Sequence, residues 1–362
     1  MNLAPRSDRA YIALRSRLIE NQHLTGFPRS VGALLMTASH RRAAAAGAFA
    51  VAVALAATAC GGAEDGASAN GLEKSEIRLG TMTIADTASV QLALSKGLFR
   101  AEGLTVKTQV IQGGAAGIPL LRSGRLDISF GNYVSLFTAG VKDPRFKPKI
   151  IAEGFNSAAG THVVMVRGDS PHKTIKDLAG KRIAVNTKRN ISTLLIRSVA
   201  QAQGVGFDDD KSFVEVPPPA MEHALKSKSV EAVQAIEPFG TQMRQTMGAR
   251  MVADLSSGQT ANLPIAGYAA TEKFVAKNPK TVAAFQRALV KAQGMCADRK
   301  VVRDVLPTYA KGIDAKVASS MSFGEYPTTL DPSHLGRVSD LMQRFGYVDK
   351  PIDVKNFVAT PS

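Results

Sequence analysis

The chain has 362 residues and a formal net charge of +15, and 45% of its residues are hydrophobic. This composition is typical of a globular protein that is long enough for about two domains. The positive charge is spread along the chain without a basic run, and only 6% of the residues are aromatic. These features argue against a nucleic-acid-binding surface and favour a mildly basic exported protein.

An Ala-rich apolar run from Ala43 to Ala59 follows His40-Arg41-Arg42 and ends at Cys60. A charged start, an apolar middle and small residues before the cleavage point are typical of a signal peptide. The segment LAATAC resembles a bacterial lipoprotein signal, which implies that Cys60 becomes the lipidated first residue of an extracytoplasmic protein anchored to the cell membrane. An uncleaved anchor and soluble secretion are the alternatives.

Met36 would begin a signal peptide of normal length, so we expect translation to start there and residues 1–35 not to be translated. With residues 1–59 as the signal, residues 60–75 are predicted to be the lipidated cysteine and a flexible polar tether. The second cysteine, Cys296, then has no partner, and no disulfide is expected.

The stretch from Gln112 to Phe137 contains two loops at strand exits. Gly113-Gly114 precedes a short helix, and Gly131-Asn132 follows an apolar strand. In a mostly parallel α/β sheet such exits share one edge, where glycine lets the backbone approach a ligand and helix starts present N–H groups. We interpret the stretch as one wall of a ligand cleft, with ordinary turns in a core scaffold as the alternative.

Strands alternate with helices twice, before and after the small-residue link at 156–160. This repeated pattern predicts two α/β lobes. A later strand at Ile265–Thr271, followed by helices, indicates that the chain returns to the first lobe. The expected organisation is lobe 1 at 76–160 and 265–362, and lobe 2 at 161–264, with hinge crossings near Gly160 and Leu263.

The chain contains, in order, the segments KGLFRAEGLTV, QGG followed by RSGRLDISFG, TIKDLAGKRIAV and VEAVQAIEPFG. Together they resemble the substrate-binding proteins of bacterial ABC importers, in the nitrate/sulfonate/taurine-type family that includes thiamine-pyrimidine binders. The resemblance covers Ile77 to Phe345 and implies a two-lobed type II periplasmic-binding fold. It further implies a monomer that binds a small molecule, delivers it to an ABC permease and needs no cofactor.

Carried over position by position, the resemblance implies ligand contacts from polar and glycine residues at strand exits of both lobes. Ser192 or Thr193 could instead serve only as a helix cap. Lys188 or Arg189 could pair with an anionic substrate or remain solvated. The implied site residues are Thr83, Asp86, Gly113, Gly114, Asn132 and Tyr133 in lobe 1, and Asn186, Lys188, Asn190, Ser192, Thr193 and Glu237 in lobe 2.

Glu237 is expected at the cleft edge, because it ends a strand and Pro238 stops helix continuation and fixes the turn. A carboxylate there would favour a ligand with an N–H or cationic donor over bare nitrate, whereas the Lys188-Arg189 loop favours an acidic group. Alternatively, Glu237 bonds backbone N–H groups near the hinge and does not touch ligand.

Catalytic and metal-binding patterns are absent from the sequence. No G-x-S-x-G nucleophile motif occurs. The histidines after Cys60 lack metal-ligand spacing, so each is interpreted as a surface or core residue. The sequence therefore favours a binding protein, with an enzyme or a ligand sensor on the same fold as alternatives; nitrate, sulfonates, pyrimidines and aromatic acids are all compatible ligands. These histidines are His162, His172, His223 and His334.

Overall fold

The computed structural model describes residues 71–359; the predicted signal peptide, Cys60 and most of the tether lie outside them. Two five-stranded sheets organise this part of the chain. Lobe 1 is built on the first sheet and lobe 2 on the second. The strands are β1 (Glu76–Thr81), β2 (Thr105–Val110), β3 (Ile128–Asn132), β4 (Pro148–Asn156), β5 (His162–Val166), β6 (Ile183–Val185), β7 (Phe213–Glu215), β8 (Ala232–Ile236), β9 (Arg250–Asp254) and β10 (Pro264–Thr271).

The two sheets have the same topology. In lobe 1 the strand order is β2-β1-β3-β10-β4, with β1 parallel to β2 and β3, and β10 antiparallel to β3 and β4. In lobe 2 the order is β7-β6-β8-β5-β9, with β6 parallel to β7 and β8, and β5 antiparallel to β8 and β9. The parallel strands of each lobe therefore all end at one edge of their sheet.

The chain crosses between the sheets twice, once from β4 to β5 and once from β9 to β10. The two crossings lie side by side, because Ser157 N donates to Leu263 O at 3.0 Å and Leu263 N donates to Ser157 Oγ at 3.2 Å. The predicted α/β fold, with two lobes and two hinge crossings, is confirmed.

Helices cover the sheets, and several begin at a side chain that accepts a hydrogen bond from the first turn. Asn132 Oδ1 accepts from Ser135 N at 2.9 Å, and Asn190 Oδ1 accepts from Ser192 N at 3.0 Å. The helices are α1 (Ala88–Ser95), α2 (Leu98–Ala101), α3 (Gly114–Arg122), α4 (Tyr133–Lys142), α5 (Ile191–Ala202), α6 (Met221–Lys226), α7 (Phe239–Met247), α8 (Glu272–Lys277), α9 (Pro279–Met295), α10 (Arg299–Tyr309), α11 (Ala315–Ser320) and α12 (Pro332–Arg344).

Both ends of the described chain are attached to lobe 1. Glu73, which the sequence placed in the tether, accepts hydrogen bonds from Lys280 N (3.1 Å) and Thr281 N (3.0 Å) at the start of α9. Near the other end, Ala359 N donates to Ile150 O of β4 at 2.9 Å. Within residues 71–359 the polypeptide therefore passes between the lobes only at the two crossings. Within residues 71–359, no helix combines the length and the hydrophobicity that a membrane crossing requires.

Candidate ligand-binding cleft

The ends of β1 and β3 in lobe 1 face the ends of β6 and β8 in lobe 2, and a cavity of about 30 Å³ lies between them. A single water molecule needs roughly 10–15 Å³, so the cavity has room for only a few atoms and the lobes are closed on each other. Its lining comprises Met82, Ile84, Asp86, Gly114, Phe130, Asn132, Ile265 and Ala266 from lobe 1, and His162, Asn186, Ile191, Ser192 and Ile236 from lobe 2.

Gly114 lines the cavity where α3 approaches the end of β3. A Cβ atom at Gly114 would lie 2.7 Å from Asn132 N and 2.8 Å from Gly131 Cα, both backbone atoms. Gly113 lies beside it, and a Cβ there would be 3.3 Å from Asn186 Nδ2 of the other lobe. The Gly-Gly turn therefore allows close backbone approach both within lobe 1 and between the lobes.

Two asparagine amides are oriented by their own lobes. Asn132 Oδ1 caps α4, and Asn186 Oδ1 accepts from Asn190 Nδ2 (2.9 Å) and Ser192 Oγ (3.0 Å). Because each amide oxygen is occupied by an N–H or O–H donor, each Nδ2 group remains as a donor toward the cavity. The cleft thus holds one fixed amide donor from each lobe.

Asp86 and His162 form the titratable part of the cavity. Asp86 is 3% exposed and His162 is 2% exposed, and Asp86 Oδ2 lies 3.9 Å from His162 Nε2. Burial raises the pKa of Asp86 to about 7, since desolvation disfavours the carboxylate. Burial lowers the pKa of His162 to about 4, since desolvation disfavours the imidazolium. Among residues 71–359, no lysine or arginine lines this cavity.

Some of the predicted site residues line the cavity, and others lie near it in supporting positions. Asn190 Nδ2 donates a hydrogen bond to Asn186 Oδ1. Thr193 Oγ1 forms a hydrogen bond of 2.7 Å with Tyr347 OH of lobe 1. Tyr133 is fully buried, with its ring stacked on Phe137. Thr83 is half-buried outside the lining. The predicted residues that line the cavity are Asp86, Gly114, Asn132, Asn186 and Ser192.

The Lys188-Arg189 loop lies outside the cavity lining, and its cations have partners within lobe 2. Lys188 N donates to Glu215 Oε1 at 2.7 Å, and Lys188 Nζ donates to Asp210 O at 3.2 Å. Arg189 NH1 lies 3.6 Å from Asp209 Oδ2. Neither the Lys188 ammonium nor the Arg189 guanidinium is therefore part of the cavity lining.

Glu237 lies at the exit of β8, but it is not part of the cavity lining. Its Oε2 accepts from Thr241 N (3.1 Å), and its Oε1 accepts from Thr241 Oγ1 (2.8 Å) and from Ser322 N of lobe 1 (3.3 Å). Burial raises the pKa of this carboxyl, against the lowering effect of these bonds. The contacts correspond to the alternative role in which Glu237 bonds groups near the lobe interface.

The sequence did not single out His162 or the apolar residues of the lining. His162 is the first residue of β5, directly after the first crossing, and a polar residue at that point could have been noted as a cleft candidate. Met82, Ile84, Ile191 and Ile236 could not have been found, because their apolar side chains also suit a core position.

A larger groove of about 570 Å³ lies on the surface of lobe 1, beside Arg122, Lys147 and Glu272. Its lining belongs entirely to lobe 1, so movement of lobe 2 cannot add contacts to a molecule held there. The small cavity between the lobes is therefore the better candidate for a site that responds to closure.

The structure resembles solved two-lobed binding proteins. The alkanesulfonate-binding protein SsuA from Xanthomonas axonopodis pv. citri, solved with MOPS bound, superposes with a TM-score of 0.67 at 18% identity, covering 79% of this chain and 98% of that chain. This likeness establishes the periplasmic-binding-protein fold.

Two curated relatives also match the sequence. The nitrate import ATP-binding protein NrtC of Synechocystis sp. is 26% identical, covering 80% of this chain. A putative aliphatic sulfonates-binding protein of Escherichia coli is 24% identical, covering 55% of this chain. The chain covers 48% and 63%, respectively, of the lengths of these relatives.

Residues 70–308 match the NMT1-like family, and the chain belongs to this family. The predicted resemblance to the nitrate- and sulfonate-type binding proteins of importers is confirmed.

Proposed function

We propose that the protein is an extracytoplasmic solute-binding protein that captures a small polar molecule, acidic or nitrogen-containing, between its lobes and delivers it to an ABC importer. The observation that carries this proposal is the cavity itself, which takes polar groups from the strand exits of both lobes. Ligand contacts from both sides would stabilise the closed form, and the permease would recognise that form. The protein performs no chemistry in this proposal.

Small-angle scattering with a thermal-shift screen tests the proposal. A ligand present at a hundredfold excess over its Kd should stabilise the protein by about 2.7 kcal/mol, and it should also reduce the radius of gyration averaged over the open and closed forms in solution. Binding without compaction would argue against closure as the mechanism. Release of a chemically altered product would instead favour an enzyme on this fold.

Two serines of α5 provide a matched pair for this screen. Ser192 lines the cavity and donates to Asn186 Oδ1, whereas Ser198 is buried on the same helix and is not part of the lining. Ser192→Ala should weaken ligand binding, and Ser198→Ala should leave binding unchanged. Equal effects of the two variants would place the ligand elsewhere.

We further propose that Cys60 carries the lipid anchor. In cells, Cys60→Ser should move the protein from the membrane fraction to the soluble extracytoplasmic fraction. Cys296→Ser is the matched control, because Cys296 is buried in lobe 1 and forms no disulfide. Retention of the Cys60→Ser protein at the membrane would contradict the anchor.

A further inference from the structure

The two buried titratable groups of the cleft face each other as hydrogen-bond acceptors. Thr161 Oγ1 donates its single hydrogen to Ala158 O at 2.7 Å, so it can only accept from His162 Nδ1, 3.2 Å away. The tautomer of the neutral His162 ring that satisfies this contact carries its hydrogen on Nδ1 and presents Nε2 as an acceptor. This Nε2 lies 3.9 Å from Asp86 Oδ2, which is too far for a direct hydrogen bond.

The described residues around Asp86 provide no donor beyond its own backbone N–H. Three tyrosines lie near Asp86. Tyr309 OH donates to Ile84 O (2.9 Å) and Tyr326 OH donates to Ala85 O (2.7 Å). The buried Tyr268 OH, in contrast, makes no hydrogen bond to Asp86 or to another described residue. The cavity lining holds no lysine or arginine that could neutralise the carboxylate. Because a buried charge is costly unless it is paired, Asp86 is suited to a donor that arrives with the ligand.

The rest of the cavity limits the ligand further. Asn132 and Asn186 line the cavity, and each has an amide N–H group left to donate, which suits an acceptor atom. Most of the other residues of the lining are apolar, with Ile84, Ile236 and Ile265 among them. A ligand that matches all three parts has a donor, an apolar body and an acceptor.

Resting on the proposed function, we infer that the cleft selects a small organic molecule with a cationic N–H donor, such as an amine or amidine. The donor nitrogen lies between Asp86 Oδ2 and His162 Nε2, and a neutral acceptor on the ligand faces the two asparagine amides. A nitrogen about 2.9 Å from both acceptors is compatible with their separation. Nitrate and simple sulfonates carry only acceptor oxygens. They would therefore be repelled by Asp86 Oδ2 and could not donate a hydrogen bond to His162 Nε2.

Two matched probe pairs test this inference on the full chain at pH 8 and constant ionic strength. Guanidinium and nitrate are planar ions of similar size, and butylammonium and butanesulfonate share one alkyl body. Each probe is titrated at low millimolar concentration, with thermal shift and scattering as the measurements. The two cations should raise the melting temperature and the two anions should not.

Asp86→Asn should weaken the binding of the cations about tenfold or more, because it removes the charge from a buried hydrogen bond. The control is Asp209→Asn, a buried carboxylate outside the cavity lining that lies 3.2 Å from Arg197. This control should leave the cation effect unchanged.

Stronger binding of either anion would overturn the inference and leave the proposed function standing. A cation effect that survives Asp86→Asn would also overturn it. Failure of all four probes would count against the ligand class, whereas the proposed function would fail only if the wider screen found no ligand that closes the lobes.

Discussion

Lobe 1 and lobe 2 share a strand order, yet equivalent strand exits present different groups to the cleft. At the end of β3, Asn132 caps α4 with its Oδ1 and keeps its Nδ2 on the cavity side. After β8, the longer side chain of Glu237 bonds Thr241 and Ser322, away from the cavity lining. Topology therefore decides where an exit residue lies, whereas side-chain length and local hydrogen bonds decide whether its polar end reaches the cleft.

The loops that follow the equivalent strands β1 and β6 also differ. In lobe 2, Asn186 is held in place by Asn190 and Ser192 of the same loop and helix. In lobe 1, the carboxylate of Asp86 has no such side-chain support within 71–359. One lobe thus supplies an oriented donor, and the other supplies a buried acid whose charge depends on pH.

The largest expected effect comes from removing one member of the Asp86–His162 pair. Between pH 4 and pH 6.5 the native protein holds a proton on Asp86, and the unfolded chain holds one on His162. The pair therefore contributes little pH dependence in the wild type, because both states bind the same number of protons.

Asp86→Asn should make stability rise as pH increases from 4 to 6.5, since only the unfolded chain then binds a proton, at His162. His162→Gln should make stability fall as pH increases from about 4 to 7, since only the native state then binds a proton, at Asp86. Each change should be on the order of 3 kcal/mol across the window. Urea unfolding at several pH values measures it, and parallel profiles for the two variants would contradict the assignment.

Gly114→Ala should destabilise the protein by about 1–3 kcal/mol, because the new methyl group meets backbone atoms of β3. The control is Gly336→Ala in α12, where a Cβ has no neighbour within 4 Å. That variant should be stabilised by up to about 1 kcal/mol through helix propensity. Chemical denaturation compares the two, and a neutral Gly114→Ala would show that lobe 1 does not need this close approach.

Asn132→Ala should cost about 1 kcal/mol of stability through loss of the helix cap, and it should also weaken binding of the ligand found by screening. Glu237→Gln should leave ligand affinity unchanged, because its carboxylate bonds protein groups. Calorimetry on both variants tests the difference between the two exits. A loss of affinity of 1.5 kcal/mol or more, roughly the value of a charged hydrogen bond, in Glu237→Gln would restore its ligand role.

The smallest expected effect concerns the bond between Tyr347 of lobe 1 and Thr193 of lobe 2. Tyr347→Phe should destabilise the closed arrangement by about 0.5–1.5 kcal/mol and enlarge the mean radius of gyration. Tyr309→Phe is the control, since its hydroxyl bonds Ile84 O within lobe 1. Equal expansion in both variants would show that the effect is not specific to the interlobe bond.

The sequence predicted the fold well because strand exits carry local signals. The Gly113-Gly114 turn is readable from a few neighbouring residues. The cap of α5 was predicted at Ser192 or Thr193, whereas the structure places it at Asn190, whose Oδ1 accepts from Ser192 N. β9 was not predicted; it is an edge strand in which Met251 is 48% exposed, so its pattern lacks a continuous apolar run.

Within the site, the limits of prediction have a different cause. The loop charges of Lys188 and Arg189 suggested an anion site, but their partners, the Asp210 carbonyl and the Asp209 carboxylate, come from a later part of the chain. The cavity-facing nitrogen of His162 depends on a hydrogen bond from Thr161 to Ala158. The loop partners are tertiary contacts, which residue spacing does not report, and the Thr161 bond is a local one whose direction the residue types alone do not fix.

The attachment of both ends of the described segment, residues 71–359, to lobe 1 has a mechanical consequence. A force applied through the residues before Glu73 passes into α9 through Lys280 and Thr281, and the opposite end is held against β4 at Ile150. The line of tension between the two ends therefore runs through one sheet and bypasses the cleft. While these hydrogen bonds hold, a pull applied at Glu73 and Ala359 should strain lobe 1 before it strains the contacts between the lobes.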